Sequence, residues 1–201
     1  MRSLLASPSR SGRGWRAMRS LCKGTRMTDQ IKKYRRTALI IAFVILFLDQ
    51  ATKFIVMHLL QLPVKGEIEL IPFFQLTWAQ NYGVSMGFLT ASTDFQRWAL
   101  VALTGLIGIA VWIWMNKEKA KWDILALGMV LGGAMGNIID RARLGYVADF
   151  ADLHIGEFRP FLIFNLADAA ISIGVVILLA RALLIREKKN EINDDVQLDE
   201  S

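Results

Sequence analysis

Long apolar runs separated by short charged stretches dominate this chain, and the first opens Ala38-Leu39-Ile40-Ile41-Ala42-Phe43-Val44-Ile45-Leu46-Phe47-Leu48. A hydrocarbon core of about 30 Å takes roughly 20 residues of helix to cross. Four segments meet that length, at about 37–60, 97–115, 123–142 and 161–185. The pattern changes in the two longer loops. Across 66–82, Ile68 and Leu70 alternate with glutamates, and Phe74, Leu76 and Trp78 share one parity. That is the period of a strand, with Pro72 allowed only at an edge or bulge. Asn81-Tyr82-Gly83 reads as a turn, and 145–155 is again strand-like. The expected fold is an all-α integral membrane protein of four transmembrane helices. A small extracytoplasmic β-sheet and its loops lie on the membrane surface.

Orientation follows from where Lys and Arg fall, because they collect on the cytoplasmic side. Lys32, Lys33, Arg35 and Arg36 precede the first span; Lys117, Lys119 and Lys121 join the second to the third; Arg186, Lys188 and Lys189 follow the fourth. The other two loops are poorer in basic residues. Both termini are therefore expected in the cytoplasm, with loops 61–96 and 143–160 outside. Trp98, Trp112, Trp114 and Trp122 fall near span ends, as interfacial aromatics do.

Composition adds little to that pattern. The 201 residues are 54% hydrophobic and carry a formal net charge of +6. The basic residues flank apolar spans, so nucleic-acid binding is not expected. Cys22 is the single cysteine and rules out an internal disulfide framework. Residues 1–30 form a basic leader without an apolar core, expected to be disordered, and Met27 is the expected native start. The membrane domain is assigned to 31–186, and the charged tail 187–201 is expected to be disordered in the cytoplasm.

The polar residues inside the spans carry the functional signal, because ionisable groups in a bilayer are expensive and usually have a task. In the first span, Asp49 and Lys53 are four apart and share a helix face, which suits an internal ion pair. Gly128, Gly132 and Gly136 recur every four residues in the third, a close-packing face. That span ends with Asn137, Asp140 and Arg141. Asp140 and Arg141 suit a structural pair, whereas Arg141 or Asn137 also suits binding of a substrate backbone. Asp149 stands just beyond. Asn165, Asp168 and Ser172 make one polar stripe on the fourth span, with Asp168 roughly 6–11 Å along it. His58, His154 and Cys22 are too scattered for a zinc site. Carboxylates remain, and Asp149 with Asp168 is the candidate pair. A small transporter or ion-binding channel is the alternative, but it asks for polar lining along the whole path.

Five motifs occur in order. They are Asp49-Gln50-Ala51-Thr52-Lys53, Asn81-Tyr82-Gly83, Gly136-Asn137-Ile138-Ile139-Asp140-Arg141, Gly145-Tyr146-Val147-Ala148-Asp149-Phe150 and Phe164-Asn165-Leu166-Ala167-Asp168. Together they resemble lipoprotein signal peptidase (signal peptidase II), a family of aspartic peptidases of the bacterial inner membrane. The resemblance runs from about Asp49 to Ser172. It implies Asp149 and Asp168 as the catalytic pair. It implies Asn81, Gly83, Asn137, Arg141 and Asn165 as substrate-binding, and Asp49, Lys53 and Asp140 as supporting residues. The implied substrate is a prolipoprotein whose cysteine already carries diacylglycerol, cut just before that cysteine near the outer face of the membrane. Membrane lipids are the other implied partner, and no metal or cofactor is implied. Trp78 and Phe88 are expected to help form a lid over the substrate.

Overall fold

The chain was analysed as a computed structural model, which describes residues 12–84, 89–90, 94–156 and 158–199. Phe88, the expected lid residue, lies outside them. Helix α1 (Gly12–Phe54) ends in a π-helical turn at Ile55–Leu59, and a short helix α2 (Leu62–Lys65) follows. Strands β1 (Glu67–Ile71), β2 (Phe74–Asn81), β3 (Gly83–Val84) and β4 (Leu89–Thr90) come next. They lead into α3 (Asp94–Lys117), α4 (Lys121–Leu144), β5 (Val147–Leu153) and α5 (Leu166–Asp199). Among the described residues, 4 helical stretches are long and apolar enough to span a membrane: Met27–Leu59, Asp94–Lys117, Lys121–Leu144 and Leu166–Leu184.

Three boundaries differ markedly from the sequence reading. Helix continues back to Gly12 and on to Asp199, through most of the two terminal stretches expected to be disordered. The leader supplies Arg, Leu and Ala and the tail supplies Glu and Lys, all good helix formers. The fourth span starts at Leu166 rather than 161. Phe164 uses its backbone elsewhere. Its N–H donates to the Ala151 carbonyl at 3.1 Å, and its carbonyl accepts the Ala151 N–H at 2.8 Å. Asp168 is consequently the third residue of α5, not a group two turns down the helix.

Helix α4 is the centre of the bundle and packs against α1, α3 and α5. Its glycines make this possible. A Cβ at Gly128 would stand 2.6 Å from the Ala38 carbonyl oxygen, and one at Gly132 would stand 2.6 Å from that of Ala42. A Cβ at Gly133 would meet the Ala167 carbonyl oxygen on α5. The four-residue glycine stripe is therefore the seam against α1, as the spacing suggested. Outward-facing side chains such as Phe43, Phe47, Leu106 and Leu183 are exposed, as lipid-facing residues are.

The expected sheet forms, in the order β1-β2-β5, with antiparallel pairs throughout. Pro72 falls in the turn between β1 and β2, where no ladder bond is asked of it. A small apolar core under the sheet gathers Val56, Leu62, Leu76, Phe150 and Ala151. Gly145 ends α4 with φ 87° and donates its N–H to the Arg141 carbonyl at 3.2 Å, a left-handed cap that suits glycine. Arg97 on α3 caps the same end. Its Nε donates to the Arg141 carbonyl at 2.9 Å, and its Nη2 donates to that of Ala142. The turn into β5 is thus held from both sides.

Candidate active site

The β2–β5 pairing carries the first half of the site. Ala79 stands opposite Asp149, and Asn81 stands opposite Val147. Asp149 is 2% exposed, on a strand whose residues are almost all buried. Asn81 closes β2. Its Oδ1 accepts the Gly83 N–H at 3.1 Å, a side-chain turn that leaves the amide nitrogen for the Asp149 carboxylate. Gly83 has φ 136°, a conformation that favours glycine. The sequence pattern Asn-x-Gly is therefore a device for aiming Asn81.

The second half is the start of α5. Asn165 precedes the helix and Asp168 is its third residue, so the pair forms a reciprocal cap. Asn165 Oδ1 accepts the Asp168 N–H at 2.9 Å, and Asp168 Oδ2 faces the Asn165 N–H at 3.4 Å. The Asn165 amide nitrogen donates to Asp149 Oδ1 at 2.6 Å and to Asn137 Oδ1 at 3.2 Å. Asn137 in turn donates to Asp168 Oδ1 at 2.7 Å. A continuous chain therefore runs Asp149–Asn165–Asn137–Asp168 and joins a strand, a loop and two helices. Both N–H donors of the buried Asn165 amide are used, and its oxygen accepts one bond.

Burial pushes the Asp149 carboxyl up to about 6, and the neighbouring charge of Asp168 pushes in the same direction. The amides of Asn165 and Asn81, and the more distant Lys53, oppose that rise. Two carboxyls close enough to feel each other hold a shared proton more tightly than either would alone. Arg141 lies near Asp168, Asp149 and Asp140, and its Nε is buried without a partner among the described residues.

Asp149, Asn81 and Gly83 line a cleft of about 610 Å³, together with Arg159 and Pro160–Ile163. Asp168 and Ser172 line an adjoining, more apolar space of about 480 Å³ with Leu153, Phe164 and Ile173. Pro160, Phe161 and Leu162 border both spaces. The two aspartates thus line neighbouring spaces that share this border.

Asp49 and Lys53 pair as their spacing suggested, at 2.8 Å. Asp140 does not pair with Arg141; its Oδ2 lies 2.7 Å from Lys53 Nζ. The reason is direction. Asp140 is buried on the α1 side of α4, whereas Arg141, the next residue around the helix, lies near Asp168 and Asp149.

Sequence reasoning missed Asp152. It is 0% exposed and accepts Gln75 Nε2 at 2.9 Å and Thr77 Oγ1 at 3.0 Å, and Arg159 Nε lies 3.2 Å from it. A buried aspartate within a strand-like run was the available signal. Among the described residues no group of three or more His, Cys, Asp or Glu is placed to hold a metal ion.

Helices, sheet and buried carboxylates together define a membrane-embedded enzyme, and the comparisons say which. The profile of the signal peptidase (SPase) II family matches residues 41–184. The lipoprotein signal peptidase of Sphingopyxis alaskensis is 54% identical over 173 residues, 86% of this chain and 100% of that protein. That of Rhizorhabdus wittichii is 57% identical over 165 residues, 81% of this chain and 95% of that one. A solved bacterial membrane enzyme superposes with a TM-score of 0.63 at 30% identity, covering 77% of this chain and 90% of the other. The chain belongs to the signal peptidase II family. It is a peptidase of the membrane, and the transporter alternative is set aside.

Proposed function

We propose that this peptidase works by an aspartic mechanism, with Asp149 and Asp168 as the catalytic pair. Its substrate is a diacylglyceryl-modified prolipoprotein, cut just before the lipidated cysteine. The observation that carries this reading is the hydrogen-bonded chain from Asp149 through Asn165 and Asn137 to Asp168, with one aspartate lining each of two neighbouring spaces.

The chemistry follows from one proton shared by two carboxyls. The ionised carboxylate takes a proton from a water, whose oxygen bonds to the scissile carbonyl carbon. The protonated carboxyl gives its proton to the carbonyl oxygen, which forms a neutral tetrahedral diol. Collapse breaks the C–N bond. The proton first taken from water passes to the leaving cysteine nitrogen, and the diol returns a proton to the pair. No covalent enzyme intermediate forms. Asn81, Gly83 and Arg141 face the peptide backbone, and Asn137 and Asn165 hold the carboxyls in place.

The bias of Lys and Arg puts both termini in the cytoplasm and the sheet on the outer face of the inner membrane. The pair then lies at the outer interface, where a bond next to a lipid anchor is found.

Cleavage of a lipidated prolipoprotein by detergent-purified protein tests the reading. Asp149→Asn and Asp168→Asn are each expected to lose at least about 1,000-fold in kcat, with wild-type folding, and a metal chelator is expected to leave the wild type active. Full cleavage by either variant would exclude an aspartic pair at these positions.

A further inference from the structure

Behind the site, Lys53 is 3% exposed and bridges two buried carboxylates, Asp49 at 2.8 Å and Asp140 at 2.7 Å. Two acid side chains share one ammonium inside the bundle. A single ion pair, or an apolar trio of similar volume, would fill that space at lower desolvation cost. Bundle stability alone does not ask for the second acid.

Both acids do something further, and they do it in parallel. Asp49 Oδ1 accepts the N–H of Ala167 at 3.0 Å, and Asp140 Oδ2 accepts the N–H of Ala148 at 3.2 Å. Ala167 is the residue immediately before Asp168, and Ala148 is the residue immediately before Asp149. The same one-residue offset thus occurs twice, on two elements with no common backbone ladder at those positions. The Ala167 N–H is one of the first amides of α5 and has no partner within the helix. The geometry points to Lys53, with Asp49 and Asp140 as its two arms, as the positioning device that sets the placement of Asp149 relative to Asp168. Lys53 touches neither catalytic carboxyl. It acts through the backbone on either side of the cleft, and it stands on α1, an element the reaction does not otherwise use.

This inference rests on Asp149 and Asp168 being the catalytic pair, and its test is built to fail separately. Lys53→Met, Asp140→Asn and Asp140→Ala are purified beside Asp149→Asn and Asp168→Asn, and steady-state kinetics and amide exchange are measured on each. Lys53→Met is expected to lose about 100-fold in kcat, the scale of an ångström-sized misplacement, with KM within about 3-fold of wild type. Exchange is expected to quicken at the Ala148 and Ala167 amides while the rest of β5 and α5 stays protected. Asp140→Asn keeps an oxygen for the Ala148 N–H and is expected to retain clearly more kcat than Asp140→Ala. That contrast still decides the matter if Lys53→Met does not fold. Wild-type kcat in Lys53→Met, or equal losses in the two Asp140 variants, overturns the positioning role alone. Activity in Asp149→Asn or Asp168→Asn overturns the catalytic reading, and the inference with it.

Discussion

Asn165 and Asp168 cap each other at the head of α5, with Asn165 Oδ1 accepting the Asp168 N–H at 2.9 Å and Asp168 Oδ2 facing the Asn165 N–H at 3.4 Å. The cap that starts the helix is therefore also the mount of a site carboxyl. Replacing Asn165 disturbs folding and chemistry together, in separable amounts. Asn165→Ala is expected to lower stability by about 1 kcal/mol, the usual cost of losing such a cap. It also releases Asp149 and Asn137, so kcat is expected to fall by about 10- to 100-fold, beyond what lost protein explains. Thermal melts and initial rates on the same preparation separate the two effects.

The pH dependence has a definite sign. Asp149 is pushed up to about 6 by burial and by the charge of Asp168. As pH rises past that value Asp149 loses its proton, so under the proposed aspartic mechanism kcat/KM of the free enzyme is expected to fall on the alkaline side. The Asn81 amide stabilises the charged form and holds the value down. Asn81→Ala is therefore expected to move the alkaline limb to higher pH. A rate profile of kcat/KM checks this, and a shift to lower pH would contradict the assigned hydrogen bond.

Stability follows from the same linkage. The folded carboxyl of Asp149 binds its proton more tightly than the ordinary carboxyl at 3.8 does. The stability gained from that proton is fully present below 3.8 and is lost as pH rises through about 6. Asp149→Asn, which cannot ionise, is expected to be more stable than wild type above that pH, by up to about 3 kcal/mol. The difference is expected to shrink toward zero near pH 4. Melting temperatures across the range test it.

The glycine seam makes graded predictions. A Cβ at Gly132 would stand 2.6 Å from the Ala42 carbonyl oxygen and 2.8 Å from its Cα, so α1 must move. Gly132→Ala is expected to cost about 1–3 kcal/mol. At Gly136 the nearest atom is Asp49 Oδ2, at 2.5 Å, the oxygen that holds Lys53. Gly136→Ala is therefore expected to lose more activity than its melting temperature accounts for. Gly105 has nothing within 4 Å, and Gly105→Ala is expected to be neutral or mildly stabilising. Detergent melts and activity of the three variants give the ranking.

Asp152 and Arg159 are close but unequal. The aspartate side chain is 0% exposed and also accepts Gln75 and Thr77, whereas the arginine side chain is 56% exposed. Asp152→Ala removes the shared acceptor of two half-buried donors and is expected to cost about 1–3 kcal/mol. Arg159→Ala is expected to cost less than about 1 kcal/mol. Proteolysis of the 154–164 loop is expected to quicken only in the former.

The membrane helices, their order and the strand character of 67–81 and 147–153 were legible in the sequence, because hydrophobic period and length are local properties. Asp49 with Lys53 was legible for the same reason, since a spacing of four on one helix fixes contact. Asp149 and Asp168 stood out because charge in an apolar context is rare. Other features depend on how separate elements meet. The start of α5 at Leu166 follows from Phe164 pairing across to Ala151. The partner of Asp140 is Lys53 rather than the adjacent Arg141, because α1 packs on that face of α4. Asp152 hid in a run that reads as ordinary strand, and its burial comes from β2 and the 154–164 loop. The local pattern thus determined which residues form helices and which polar groups are anomalous. Only the close approach of α1, α4, α5 and the sheet decided which of those groups touch, because a hydrogen bond between residues dozens of positions apart has no periodicity to announce it.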